Sequence, residues 1–206
     1  YLRSLGDLNA ASGQSEALQR AAEQYREIVR LDPSDIDAAL WLARLYRLQN
    51  SPESAEEILR RILKTEPENE AVVEQLTQSL LDQGKSGEAV ELLERTTQDS
   101  ASPALLHLLG EAYAQTRDLA KAEAAYRKAA ALDPRDPGHL HGLAQTLLSE
   151  EKDADALGAY QHLAEIEPEN ADDLLRISHI YRELHTLADA DKLPLTPRLL
   201  APARTG

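Results

Sequence analysis

Apolar side chains recur along this chain at the spacing of an amphipathic α-helix. In the segment 36–69, a first stripe follows the i, i+3, i+4, i+7 pattern of one helix face, through Ala39, Leu42, Ala43 and Tyr46. Ser51 and Pro52 then interrupt the pattern, and we expect Ser51 to be the N-cap and Pro52 the first residue of the next helix. A second stripe ends before Pro67 and runs through Ala55, Leu59 and Ile62. The segment is therefore predicted to form two short helices joined by a tight turn.

The same arrangement returns along the chain. A proline-ended tripeptide marks the end of each helix pair, at Leu31-Asp32-Pro33, Thr65-Glu66-Pro67, Leu132-Asp133-Pro134 and Ile166-Glu167-Pro168. The prolines are 34, 67 and 34 residues apart, and 67 is the sum of one 34 and one 33. The missing tripeptide would fall near Ala101. Because neither helix of a pair can bury its apolar stripe alone, neighbouring pairs must stack.

Segment 103–136 has small or apolar residues at eight fixed places, namely Leu106, Leu109, Gly110, Tyr113, Ala122, Tyr126, Ala129 and Pro134. Segments 36–69 and 137–170 fill the same places, and 70–102 fills them more weakly. This pattern resembles the tetratricopeptide repeat family. The resemblance implies an all-α fold, a right-handed superhelical solenoid of stacked helix-turn-helix repeats, about five complete and a truncated sixth.

The predicted array occupies residues 1–190, with repeats at about 2–35, 36–69, 70–102, 103–136 and 137–170 and a partial repeat at 171–190. The first helix of the 2–35 repeat is interrupted by Gly6 and Gly13, whereas the last repeat keeps only its first helix. A proline-rich apolar tail follows at 191–206. Because its leucines favour burial, we expect residues 193–206 to dock on the array or on a neighbouring chain.

In the resembled family, the first helices of the repeats line a concave groove that receives a peptide or a helix of a partner protein. Trp41 lies at such a place between aliphatic residues and arginines, and Trp and Arg are the commonest interface hot spots. An alternative role for Trp41, to cover the degenerate first repeat, stays open. The stripe is less acidic than the whole chain, which favours a partner with apolar and acidic features. The predicted groove residues are Leu40, Trp41, Arg44, Arg47, Glu74, Gln78, His107, Glu111, His141, Gln145, Arg176, His179 and Arg182.

Composition excludes several classes of function. The chain has 22 Lys and Arg against 36 Asp and Glu, a net charge of −14, which argues against nucleic-acid binding. It has no cysteine, so thiolate metal sites and thiol nucleophiles are excluded. No apolar run approaches the roughly 20 residues that span a bilayer, so no direct membrane insertion is expected.

No catalytic motif stands out. The segment 83–86 matches only the end of a phosphate-binding loop, because Ser79 stands where the loop needs its first glycine. No Gly-x-Ser-x-Gly motif is present. Carboxylates such as Glu53, Glu56 and Glu57 are assigned to the solvated face of their helix. We therefore expect no enzymatic activity.

The histidines offer only pairs of candidate metal ligands, such as His107 with Glu111 and His179 with Glu183. His139 and His141 are two residues apart on a helix and point in different directions. Since a metal site needs three or four convergent ligands, no metal or other cofactor is expected.

These observations predict a non-enzymatic protein–protein interaction scaffold. Two alternatives stay open: a structural subunit that uses its outer face and its tail, and a segment of a larger bacterial protein whose activity lies elsewhere. Arginine outnumbers lysine 16 to 6, which suggests a bacterial source with a GC-rich genome. The chain begins at Tyr1 and has no methionine, so a processed or trimmed product is expected. The absence of cysteine and of an initiator methionine favours the bacterial periplasm or cell envelope over the cytoplasm.

Overall fold

The computed structural model describes residues 15–97 and 102–184, and these ranges contain ten α-helices and no strand. The predicted tail at 193–206 lies outside the described residues, as does the predicted first helix of the 2–35 repeat. The helices are α1 (Ser15–Leu31), α2 (Ile36–Leu48), α3 (Pro52–Leu63), α4 (Glu70–Asp82), α5 (Ser86–Thr97), α6 (Pro103–Gln115), α7 (Leu119–Leu132), α8 (Pro137–Ser149), α9 (Asp153–Ile166) and α10 (Ala171–Leu184).

The helices form two compact units, one through Thr116 and one from Arg117. In the N-terminal unit each helix packs on the next, and α4 also contacts α2 and α6. The first helices of three successive repeats therefore form one layer. In the C-terminal unit, α7 packs on α8, α8 on α9, and α9 on α10. The boundary between the units falls between the two helices of the 103–136 segment. The predicted all-α helix-repeat fold is confirmed.

Small side chains let the helices approach one another closely. One alanine recurs at the same place in the second helix of four repeats and is 0% exposed in each, at Ala55, Ala89, Ala122 and Ala156. Large apolar residues fill the space beside them, and Leu42, Leu59, Leu76 and Leu93 are completely or almost completely buried. The buried core residues thus recur with the period that the sequence pattern predicts.

Each turn inside a helix pair contains one residue in the left-handed region. These residues are Asn50, Gly84, Arg117 and Glu151, with φ of 57°, 71°, 66° and 59°. Three of the turns close the helix end with the same hydrogen bond, in which the next amide donates to a carbonyl five residues earlier. The bonds run from Ser51 N to Tyr46 O (2.8 Å), from Lys85 N to Leu80 O (2.8 Å) and from Lys152 N to Leu147 O (2.9 Å).

Side chains cap the N-termini of three helices that begin a pair. Asp35 accepts a hydrogen bond from Ala38 N, Asn69 from Val72 N and Asp136 from Gly138 N. Ser51 stands at the N-cap of α3 as predicted, and Pro52 is the first helical residue. The Ser51 side chain makes no capping hydrogen bond, however, whereas its backbone amide closes the preceding turn.

Gly84→Ala is expected to lower the free energy of unfolding by about 1 kcal/mol, the usual cost of a left-handed non-glycine residue. A Cβ built on Gly84 meets nothing within 4 Å, so the loss would be purely conformational. Urea unfolding measures it. Gly87→Ala is the matched control, because Gly87 is equally open and has an ordinary helical φ. Equal effects of the two substitutions would contradict the prediction.

Candidate functional site

Trp41 lies on α2, and its side chain is partly packed against another helix and partly exposed. Its ring stacks on Tyr25 of α1, with centroids 6.3 Å apart and planes at 19°. The side chain of Tyr25 is fully buried, yet Trp41 remains 41% exposed. The guanidinium carbon of Arg44 lies 5.5 Å from the centroid of the indole ring. Trp41 therefore covers the first repeat, as one hypothesis held, and also presents a cation-capped aromatic surface.

Arg47 ties α2 to α4. Its Nε donates to Asp82 Oδ2 at 2.6 Å, and its Nη1 donates to Gln78 Oε1. Leu40 of α2 is partly buried, as are Glu74 and Gln78 of α4. An open cavity of about 680 Å³ is lined by Arg44, Arg47, Leu48, Asn50, Pro52, Glu74, Gln75, Gln78 and Asp82. Five predicted groove residues, Trp41, Arg44, Arg47, Glu74 and Gln78, thus lie in or next to one site.

Glu111 of α6 continues this surface. Burial raises the pKa of its carboxyl, the nearby carboxylate of Asp82 raises it further, and the charge of Arg47 partly opposes both. His107 is half-buried on the same helix. Arg47 of α2, Asp82 of α4 and Glu111 of α6 therefore interact electrostatically.

In the C-terminal unit, two of the predicted groove residues line a second cavity. Arg176 and His179 of α10 line a cavity of about 490 Å³ with Leu148, Leu175 and Ile180. The Arg176 guanidinium lies 6.0 Å from the Tyr160 ring centroid. Gln145 is exposed on α8. Arg182 belongs to α10, but its side chain is outside the part of the chain that the structure describes.

His141 meets two carboxylates that the sequence analysis did not connect to it. Its Nε2 is 3.6 Å from Asp173 Oδ2 and 3.9 Å from Glu167 Oε2. The pairs identified from the sequence were limited to one helix, whereas these three residues come from α8, α10 and the end of α9. Helix stacking, which a local spacing rule does not capture, brings them together.

The assignment of Glu56 to a solvated helix face was wrong. Only 13% of its side chain is exposed. It accepts hydrogen bonds from Arg60 Nε at 2.6 Å and from Lys85 Nζ and Gln83 Nε2 at 2.8 Å. Burial alone would raise the pKa of Glu56, but these hydrogen bonds outweigh it and lower the pKa to about 2. The turn after α4 packs over Glu56 and shields it.

Glu123 repeats this arrangement two repeats later. It accepts from Lys152 Nζ at 2.6 Å and from Arg127 Nε at 2.7 Å. Hydrogen bonds from Lys152 and Arg127 lower the pKa of Glu123 to about 2 against the cost of burial. All three residues stand 67 positions after Glu56, Arg60 and Lys85. This recurrence is visible in the sequence, but a pattern confined to one helix does not reveal it.

Within 15–97 and 102–184, no helix is both long and apolar enough to cross a membrane. Helix pairs with a 34-residue period, a left-handed turn inside each pair and a buried alanine layer define an α-helical repeat scaffold. Proteins of this class are generally non-catalytic modules that bind other proteins. Two tetratricopeptide repeat family models match residues 14–79 and 75–137, and the chain belongs to the tetratricopeptide repeat family.

Two curated bacterial proteins are similar in sequence. The type IV pilus assembly protein PilF of Pseudomonas aeruginosa is 26% identical over 176 residues, covering 82% of this chain and 70% of PilF. Cellulose synthase operon protein C of Pseudomonas fluorescens is 29% identical over 181 residues, covering 78% of this chain. The matched part is only 14% of that longer protein.

Among solved structures, PilW, described as a widely conserved type IV pilus biogenesis factor, has the same fold. It superposes with a TM-score of 0.76 at 18% identity, and the match covers 96% of both chains.

Proposed function

We propose that this chain is a non-catalytic assembly scaffold, and that the surface of α2, α4 and α6 binds a peptide segment or a helix of a partner protein. The observation that carries the proposal is the open cavity of about 680 Å³ beside the half-exposed ring of Trp41. An aromatic anchor next to a concave polar surface is a typical peptide-recognition arrangement.

The two arginines of this surface have different roles. Arg47 is held by Asp82 and Gln78, so it forms a rigid wall of the cavity. Arg44 is exposed and lies over Trp41. We infer that Arg44 pairs with an acidic side chain of the partner while an apolar side chain contacts the Trp41 ring. The partner would therefore carry an acidic residue next to an apolar one.

The relatives suggest a cellular setting. PilF is named for type IV pilus assembly, and the second relative belongs to a cellulose synthase operon. We propose that this chain serves the assembly of a comparable machine in the bacterial cell envelope. The two alternatives, a structural subunit that uses its outer face or a segment of a larger protein, remain outcomes of the following experiment.

The test is a pull-down of the chain from an extract of the source bacterium, with partners identified by mass spectrometry. The Trp41→Ala, Arg44→Ala variant is expected to lose one defined partner, because hot-spot residues typically contribute about 2 kcal/mol or more, roughly a 30-fold change in affinity. Purified partner should then bind the wild-type chain more weakly as the salt concentration rises.

A matched control carries Leu31→Ala and Arg61→Ala, which also remove one exposed apolar side chain and one arginine from the N-terminal unit, but from α1 and α3. Arg44→Glu is a second variant that leaves the Trp41–Tyr25 stack in place. Retention of the partner by both α2 variants, or an equal loss in the control, would contradict the groove proposal and favour the outer face. Circular dichroism checks that each variant is folded.

A further inference from the structure

Three potential ligand atoms converge in the C-terminal unit. His141 lies on α8, Glu167 is the C-cap of α9, and Asp173 lies in the first turn of α10. Their nearest donor atoms, one imidazole nitrogen and two carboxylate oxygens, all lie within 4.8 Å of one another. Because the three residues belong to three different elements, this convergence follows from the packing of the helices.

Asp173 provides the observation that points to a ligand. Its side chain is only 1% exposed, and Oδ2, the atom that faces His141, has no hydrogen-bond partner. A buried carboxylate without a donor is costly unless a charge compensates it. Asp173 Oδ2 therefore lacks the donor or cation that a buried carboxylate oxygen requires.

The distances fit a shared metal ion better than direct hydrogen bonds. His141 Nε2 is 3.6 Å from Asp173 Oδ2 and 3.9 Å from Glu167 Oε2, beyond the normal range of an N–H···O bond. Ligands bound tetrahedrally at about 2.1 Å from Zn²⁺ lie about 3.4 Å from one another. Small side-chain rotations would therefore bring all three atoms to one ion.

Asn170 is not a candidate ligand, but its hydrogen bonds hold two of the candidate ligands in place. Its Nδ2 donates to Glu167 Oε2 at 3.1 Å, while its Oδ1 accepts from the backbone amides of Asp172 and Asp173. One side chain thus orients one candidate ligand and fixes the helix turn that carries another. Metal sites commonly rely on such outer hydrogen bonds.

We propose that His141, Glu167 and Asp173 bind a zinc ion, with the fourth position taken by water. One imidazole and two carboxylates suit Zn²⁺, whereas Ca²⁺ requires six to eight oxygen ligands. A second convergent group, Asp133, Asp136 and His139, lacks this support. Both of its carboxylates are exposed, and they accept backbone hydrogen bonds from Arg135 and Gly138.

The test is calorimetric titration of the tag-free, metal-stripped chain with ZnCl₂, and with CaCl₂ in parallel. One zinc ion is expected to bind per chain and to raise the melting temperature. Changes to residues outside the ligand set typically weaken metal binding about 10–100-fold, and Asn170→Ala should fall within that range. His141→Ala and Asp173→Asn remove proposed ligands, so each should weaken zinc binding by more than that. Asp172→Asn and His162→Ala are the controls, since both residues are exposed neighbours on the same helices as Asp173 and Glu167.

A spectroscopic readout separates ligation from general destabilisation. Co²⁺ in place of zinc should give the visible absorption of a tetrahedral site in the wild-type chain and in both controls, but not in His141→Ala. His141 is half-exposed, so this variant is expected to fold, which circular dichroism verifies. The proposal is overturned by the absence of saturable zinc binding, by equal losses in the controls, or by calcium binding as tight as zinc binding.

Discussion

Gly142→Ala will destabilise the C-terminal unit by about 1–3 kcal/mol, the usual cost of overpacking a filled core. Gly142 lies on α8 where that helix meets α7. A Cβ at this position would lie 2.3 Å from Cε1 of Tyr126 and 2.5 Å from its Cζ. The Tyr126 ring is itself almost completely buried, so it cannot simply turn away. Urea unfolding followed by circular dichroism measures the loss.

Gly158→Ala is the matched control on α9. A Cβ at Gly158 meets nothing within 4 Å, and the residue is exposed in a helix interior, so alanine should stabilise by roughly 0.5–1 kcal/mol. Combining Gly142→Ala with Tyr126→Ala should cost less than the sum of the two single changes, because the clash is relieved. Strict additivity, or a stabilising Gly142→Ala, would show that α7 and α8 are not in close contact at this point.

Acid will remove part of the stability of the array through Glu56 and Glu123. Both have a pKa of about 2, below the value of 4.5 for an unperturbed glutamate. A carboxyl with a lowered pKa stabilises the fold fully above its unfolded pKa and loses that contribution as the pH falls toward its folded pKa. The free energy of unfolding should therefore decline as the pH falls from about 4.5 to about 2.

The double variant Glu56→Gln, Glu123→Gln should lower the free energy of unfolding at pH 7 by about 1.5–3 kcal/mol for each hydrogen-bonded charge. The loss should lie nearer the lower figure because the lysine and arginine partners are partly exposed. The unfolding free energy of the variant should then depend less on pH below 4.5 than that of the wild-type chain. Glu53→Gln, Glu57→Gln is the control, since both carboxylates are exposed on α3. Parallel pH profiles for the wild-type chain and the Glu56→Gln, Glu123→Gln variant would contradict the stabilising role of the two carboxylates.

The repeat architecture could be predicted because it is a local property. The apolar stripe through Leu42 and Tyr46, the break at Pro52 and the terminator at Pro67 lie within one repeat, and each acts on its own helix. The buried alanines and the left-handed turns keep the period of the prolines. Helix geometry and proline chemistry were sufficient for this part of the fold.

The polar contacts could not be predicted in the same way because they join different repeats. Lys85 reaches Glu56 across 29 positions, and Asp173 meets His141 across 32. A helical pattern places Glu56 on the polar face of α3, which is correct, but it does not show that the next turn packs over that face. For Trp41, the place on the groove surface was predicted and a role in covering the first repeat was left as an alternative, but its stacking partner Tyr25 was not identified.

The left-handed turns determine where this chain can change its length. In three of these turns a hydrogen bond closes a ring of six residues, and one inserted residue would open that ring. The segments between helix pairs differ in length: five residues separate α3 from Asn69, but only four separate α5 from Ser102. The one irregularity in the period falls there. A reporter peptide or a recognition loop grafted into this chain therefore belongs between helix pairs, where it lengthens a linker without separating the two helices of a pair.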